Sequence, residues 1–174
     1  MKKYLIVIDM QNDFIDGSLG NADAVSIVPA VVEEIKKDCY DGIFATYDTH
    51  YEDYLQSAEG KKLPVEHCIK GTPGWELNKE IQAALPENTR LIEKPTFGSW
   101  ELAELAADLG EEKELEFYLC GLCTDICVIS NAMLLKAKLP EAKIAVIAHA
   151  CAGVSPQSHE NALAAMSCCQ IDII

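Results

Sequence analysis

Apolar and polar positions along the 174-residue chain switch between two periods. Residues 3 to 10, KYLIVIDM, form a continuous apolar run rich in β-branched side chains, the pattern of a strand covered on both faces. Ser26 to Lys37 then sets Ile27, Val28, Ala30, Val31, Val32 and Ile35 at helical spacing and gathers Glu33, Glu34, Lys36 and Lys37 toward the end. That spacing predicts an amphipathic helix. The alternation recurs as GIFATYD (42 to 48), a helix near Trp75 to Leu85, RLIEK (90 to 94), and a helix near Ser99 to Leu109. It continues as ELEFYLCG (114 to 121), a helix from Thr124 to about Ala137, KIAVIAHA (143 to 150), a helix near Pro156 to Cys169, and QIDII as an edge strand.

Six strands interleaved with helices predict an α/β fold. The expected form is three-layered and doubly wound, with a mostly parallel six-stranded sheet, helices on both faces and right-handed crossovers. Residues 1 to 174 read as a single domain without a repeat, low-complexity tract or linker. The one long irregular stretch, Thr49 to Gly74, holds two of the four histidines, and loops of that length are functional or disordered. Ligands of open α/β sheets sit beyond the carboxyl ends of the strands. The residues to inspect are therefore Asp9, Asp48, Lys94 and the turn from Gly121 to Cys127.

Charge narrows the partners. With 28 acidic against 14 basic side chains and a net charge of −14, the chain lacks the basic surface that grips phosphate backbones, so nucleic acid is excluded. No apolar run approaches the ~18 to 20 residues that span a bilayer, which argues against a membrane partner. Asp9 interrupts the N-terminal apolar run after about five residues, short of the ~7 to 15 of a signal-peptide core, and a cytoplasmic protein is expected. Its eight cysteines then read as mostly buried, reduced thiols rather than staples. The sequence allows a homo-oligomer without specifying one.

The sharpest local feature is CGLCTDICV, residues 120 to 128, between a buried strand and a buried helix. Its cysteines fit small apolar fillers, and a zinc reading lacks a fourth ligand. Cys127 differs by position. With Thr124 or Asp125 as N-cap it falls in the first helical turn, where unpaired N–H groups and the helix dipole favour a thiolate. The turn resembles the strand-to-helix elbow of hydrolases, whose N–H groups form an oxyanion hole. Asp9 and Lys94 end two other strands, and each alone reads as a cap or an exposed strand end. Together with Cys127 they make a base, a cation and a nucleophile at three strand ends of one sheet.

These residues carry a family resemblance. IDMQNDF with Asp9, KPTFGS with Lys94 and GLCTDICV with Cys127 resemble, in order and over the whole chain, the three motifs of the isochorismatase-like cysteine hydrolases. The presence of a nucleophilic cysteine is similar to the amide-cleaving members. Asp48 and His50, a D-x-H at the end of the second strand, and His67 in the following loop suit zinc, iron or manganese. In this superfamily the same set resembles the metal site of nicotinamidases, where the metal holds the pyridine nitrogen. The resemblance implies a divalent cofactor, zinc first, on Asp48, His50 and His67. It implies Phe14, Leu19 and Leu122 at the substrate, an oxyanion hole from the N–H groups of Cys123 and Cys127, and a cis peptide between Leu122 and Cys123.

Two departures stand out. The further histidine that some nicotinamidases carry after the D-x-H is missing, leaving water, Ser57 or Glu59 for its place, and the aromatic residue between Asp and His is Thr49. Trp75 and Trp100 wall the pocket or, the favoured reading, pack in the core. His149 and His159 are expected to cap or hydrogen-bond at strand ends. The expected activity is hydrolysis of nicotinamide to nicotinate and ammonia through a thioester, with a small-molecule amide as the partner. Another small carboxamide or ureido substrate, and a noncatalytic α/β domain that recruits partners, stand as alternatives.

Overall fold

The computed structural model describes residues 1–174. Its elements run β1 (Lys2–Ile8), α1 (Asn12–Ile15), α2 (Ala22–Ser26), α3 (Val28–Ile35), β2 (Gly42–Asp48), α4 (Lys79–Ala84), β3 (Arg90–Lys94), α5 (Trp100–Ala107), β4 (Leu115–Leu122), α6 (Ile129–Lys138), β5 (Lys143–Ala152), α7 (Pro156–Cys168) and β6 (Asp172–Ile173). The six strands form one sheet in the order β3-β2-β1-β4-β5-β6, and every pairing is parallel. All carboxyl ends therefore lie along one edge. The chain winds outward from β1 in both directions, so the crevice beyond β1 and β4 is the switch point where such sheets bind ligands.

Burial follows the apolar runs. Leu5, Ile6, Val7 and Ile8 are wholly buried in β1, as are Leu119 in β4 and Val146 in β5, each contributing about 1.5–3 kcal/mol of apolar burial. β1 and β4 approach closely at Gly121, whose φ is +115°, and a Cβ there would lie 2.1 Å from the Ile8 carbonyl oxygen. Only glycine fits.

The helices differ from expectation at their starts. The helix expected over Ser26 to Lys37 is α3, which starts at Val28 with Pro29 in its first turn, and Ile27 separates it from the short α2 that the periodicity did not show. The one near Trp75 begins only after Asn78, whose side chain accepts from the Glu80 amide. The residues before it serve another purpose: the carbonyls of Gly74 and Glu76 accept from the amides of Asp13 and Asn12. No helix is long and apolar enough to cross a membrane.

Candidate active site

The turn that carries Cys127 is not the one expected. Residues Thr124–Val128 form a single π turn ahead of α6, and Cys123 is its N-cap. The Cys123 carbonyl accepts from the amides of Ile126 and Val128. Neither Thr124 nor Asp125 caps it, because both side chains are held by the neighbouring α7 region. The Thr124 hydroxyl pairs with His159 Nδ1 at 2.8 Å, and Asp125 Oδ1 accepts from the Val154 amide at 3.1 Å. The peptide between Leu122 and Cys123 is cis, as expected.

Lys94, wholly buried at the end of β3, is the hub of the site. Its Nζ lies 2.7 Å from Asp9 Oδ2 and 3.4 Å from Asp48 Oδ1. It also lies 3.1 Å from the Thr96 carbonyl oxygen and 3.5 Å from Cys127 Sγ. Asp9 follows β1 directly and adopts a left-handed φ of +46°, a conformation uncommon outside glycine. Thr46, in the adjacent strand, donates to Asp9 Oδ1 at 2.6 Å and accepts from the Asp9 amide. Burying unpaired charges is costly, and here each buried charge is paired.

The charge states follow from that pairing. Burial raises the Asp9 carboxyl above the ordinary carboxylate range, with the Lys94 ammonium pulling the other way. Burial works against the Lys94 charge, but Asp9, Cys127 and Asp48 outweigh it and hold the ammonium above its usual value. The Cys127 thiol is pushed well up by burial and then by the Asp9 charge. This corrects the expectation of a thiolate favoured by the helix terminus: in a turn this buried, desolvation exceeds the effect of the dipole. Cys127 rests as a thiol with an acceptor carboxylate beside it. Burial and then Asp125 also push the Cys123 thiol up, to about 12.

The expected metal ligands converge. Asp48, His50 and His67 each bring one ligand atom within 4.8 Å of the others. Asp48 Oδ2 is 3.1 Å from His50 Nε2 and 3.6 Å from His67 Nε2, while its Oδ1 faces Lys94. His67 Nδ1 lies 2.9 Å from the Val65 carbonyl, which can only accept, so Nδ1 carries a proton and Nε2, facing Asp48 and Glu59, is the nitrogen left to coordinate an ion. Glu59 Oε1 stands 3.8 Å from His50 Nε2 and 3.7 Å from His67 Nε2. The Ser57 hydroxyl instead accepts from the Gly60 amide at 2.9 Å. Of the two side chains considered for the missing histidine's place, Glu59 is the one at the cluster.

A cavity of about 430 Å³ joins the two clusters, lined by Asp48, Glu59 and His67 from the one and by Cys123 and Cys127 from the other. Phe14 and Leu19 line it as expected, and the Phe14 ring lies 5.5 Å from that of His67. Leu122 does not line it. Its side chain is wholly buried in the core, because strand alternation turns it away from the crevice, so only its peptide adjoins the site. Leu63, Thr96, Phe97 and Ile126 supply walls that sequence reasoning missed. Phe97 lay in view within KPTFGS, but nothing in the spacing sets its direction.

Other expectations divide. Trp75 packs on the core beside Tyr47 and donates to the Thr49 hydroxyl at 2.9 Å. Trp100 is 68% exposed at the start of α5, so it is neither wall nor core. His159 hydrogen-bonds Thr124, whereas His149 is largely exposed with its Nε2 3.6 Å from Glu34. The least visible contributor was Gln11. Wholly buried, it accepts from the Asp48 amide at 2.7 Å and donates to the carbonyls of Asp48 and Trp75.

The chain belongs to the isochorismatase family: the family model for the Isochorismatase domain matches residues 3–174. Among solved structures it is similar to the pyrazinamidase of Pyrococcus horikoshii in complex with zinc, at 28% identity and a TM-score of 0.82, covering 100% of this chain and 99% of that one. It is similar to the pyrazinamidase/nicotinamidase of Streptococcus mutans UA159, at 29% identity and a TM-score of 0.84, covering 99% and 100%. The N-carbamoylsarcosine amidase of Thermoplasma acidophilum matches at 26% identity and a TM-score of 0.78, covering 99% and 95%.

Proposed function

We propose that this protein is a metal-dependent cysteine amidase that hydrolyses nicotinamide to nicotinate and ammonia. The observation that carries this reading is one cavity lined both by Cys127 and by Asp48 and His67 of the Asp48, His50 and His67 cluster, with the Asp9–Lys94 pair beside the thiol. The similarity to a zinc-bound pyrazinamidase and a pyrazinamidase/nicotinamidase supports it.

Asp48, His50 and His67, with Glu59 alongside, would hold a divalent ion, zinc by preference with iron or manganese as substitutes, which gives the ring nitrogen a Lewis-acid seat. Phe14 and Leu19 bound the ring and exclude water. Asp9 takes the Cys127 proton as Sγ attacks the carboxamide carbon, and Lys94, beside both, balances the negative charge as the transfer moves it from Asp9 to the sulfur. The N–H groups of Cys123 and Cys127 receive the tetrahedral oxyanion. When it collapses, the C–N bond breaks and Asp9 returns the proton to the departing ammonia. Water, deprotonated by Asp9, then attacks the thioester, releasing nicotinate and restoring the thiol. The single hydrolase domain takes in residues 1–174, and the free thiol suits the reducing cytoplasm.

The test is ammonia release from nicotinamide by the zinc-loaded protein and by Cys127→Ala. Turnover by the native protein and its loss in the variant are expected, while residual hydrolysis near the native rate would remove Cys127 as nucleophile. The match to N-carbamoylsarcosine amidase favours one second reading, a ureido substrate at the same cysteine. Release of ammonia from an N-carbamoyl amino acid, with none from nicotinamide, would select it.

A further inference from the structure

Asn131 is 1% exposed and lies one turn beyond Cys127 in α6. Its amide makes three hydrogen bonds, to two segments. Nδ2 donates to the Cys127 carbonyl at 2.8 Å and to the Phe97 carbonyl at 3.0 Å, and Oδ1 accepts from the Ser99 amide at 3.0 Å. The stretch it grips is dense in site parts. In order come Lys94 beside the Cys127 sulfur, Thr96 whose carbonyl accepts from that ammonium, the cavity wall Phe97, and Ser99, which caps α5 by accepting from the Leu102 amide. Apart from the Lys94 ammonium, Asn131 is the hydrogen-bonded link between this stretch and the nucleophile turn.

The geometry points to Asn131 as a positioning residue, one that fixes the separation between the Phe97 wall and Cys127 and thereby the line along which a substrate meets the sulfur. This rests on Cys127 being the nucleophile. A side-chain amide is suited to the task because it offers two donors and an acceptor in one plane. Its three partners are backbone groups of the very segments whose spacing matters, and a misplacement of about 1 Å at a reacting centre costs on the order of 100-fold in rate. The carbonyl of Cys127 also gains a partner in the turn where the regular helical ladder is interrupted.

The experiment uses the zinc-loaded native protein and Asn131→Ala, with two readouts at a temperature well below unfolding. One is kcat and KM for nicotinamide. The other is the rate of Cys127 alkylation by iodoacetamide, followed by peptide mass spectrometry with exposed Cys39 as the internal reference. In the variant kcat is expected to fall roughly 10- to 100-fold with KM moving less than about threefold. Alkylation of Cys127 is expected to change several-fold against Cys39. A melting temperature that drops while either kcat or the alkylation rate stays within about twofold of native would make Asn131 merely structural and overturn the inference. If Asn131→Ala does not fold, Asn131→Asp keeps the volume and the acceptor for Ser99, removes both donors, and is read the same way. Absence of nicotinamide turnover in the native protein would defeat the proposed substrate, and the alkylation rates would still decide the role of Asn131.

Discussion

Lys94 concentrates the energetics of the site in one side chain. Its ammonium faces two buried carboxylates and a thiol, so truncation leaves Asp9 and Asp48 facing each other without a counter-charge. Lys94→Ala is expected to cost about 3–5 kcal/mol, as does breaking a buried pair, and to abolish turnover; urea unfolding and ammonia release measure the two losses separately. The same pairing sets the pH response. Asp9 must be ionised to take the thiol proton, and burial raises its pKa, so activity falls as pH drops through that raised value. The acid limb of kcat/KM, which reports the free enzyme, is expected above the ordinary Asp value of about 3.9. A limb at or below that value would show that Lys94 dominates over burial.

At the scale of elements, the site depends on contacts between loops as much as on the strands that carry it. Gln11, just after β1, bonds both the amide and the carbonyl of Asp48 at the end of β2, and so stands in for a strand neighbour where the ladder has stopped. Gln11→Ala strands these buried groups, each costing about 1–3 kcal/mol. The expected result is a lower melting temperature together with weaker zinc retention in equilibrium dialysis. Retention equal to the native protein would separate Gln11 from the metal cluster. The sequence made the strands legible, because apolar runs such as KYLIVIDM record burial on both faces directly. It also made Asp9, Lys94 and Cys127 legible, since charge or sulfur at the end of such a run is locally odd. What stayed hidden was pairing: Gln11 with Asp48, Thr46 with Asp9 and Asn131 with Phe97 join residues 32 or more positions apart. Hydrophobic periodicity is silent about partners at that distance. The turn at Cys127 was misread for a related reason, since its caps were claimed by α7 through His159 and Val154.

Across the whole molecule, the eight cysteines are all free thiols, and the continuous core of 41 buried residues supplies the cohesion that staples would otherwise provide. Dithiothreitol is accordingly expected to leave the melting temperature unchanged, and a fall on reduction would reveal a structural disulfide. The proposed metal site would be a different kind of staple. Asp48, His50 and His67 tie the long loop to the end of β2, so a divalent ion that binds the native form stabilises it by mass action. Removal of zinc by a chelator should lower the melting temperature as well as turnover, and restoration of both by added zinc checks that the loss is the ion alone.

The strand order has one more consequence, for the order in which the molecule comes into being. β1 has one partner 38 residues on, starting at Gly42, and another only from Leu115. As the chain leaves the ribosome, β1, β2 and β3 can pair first, which assembles Asp9, Asp48, His50, His67 and Lys94 before Cys127 has emerged. The second flank of β1 meanwhile stays open as an unsatisfied apolar edge, the kind of surface that recruits chaperones or a second nascent chain. Cys127 follows β4 directly, so the strand that closes the exposed edge also brings the proposed nucleophile to the residues gathered before it.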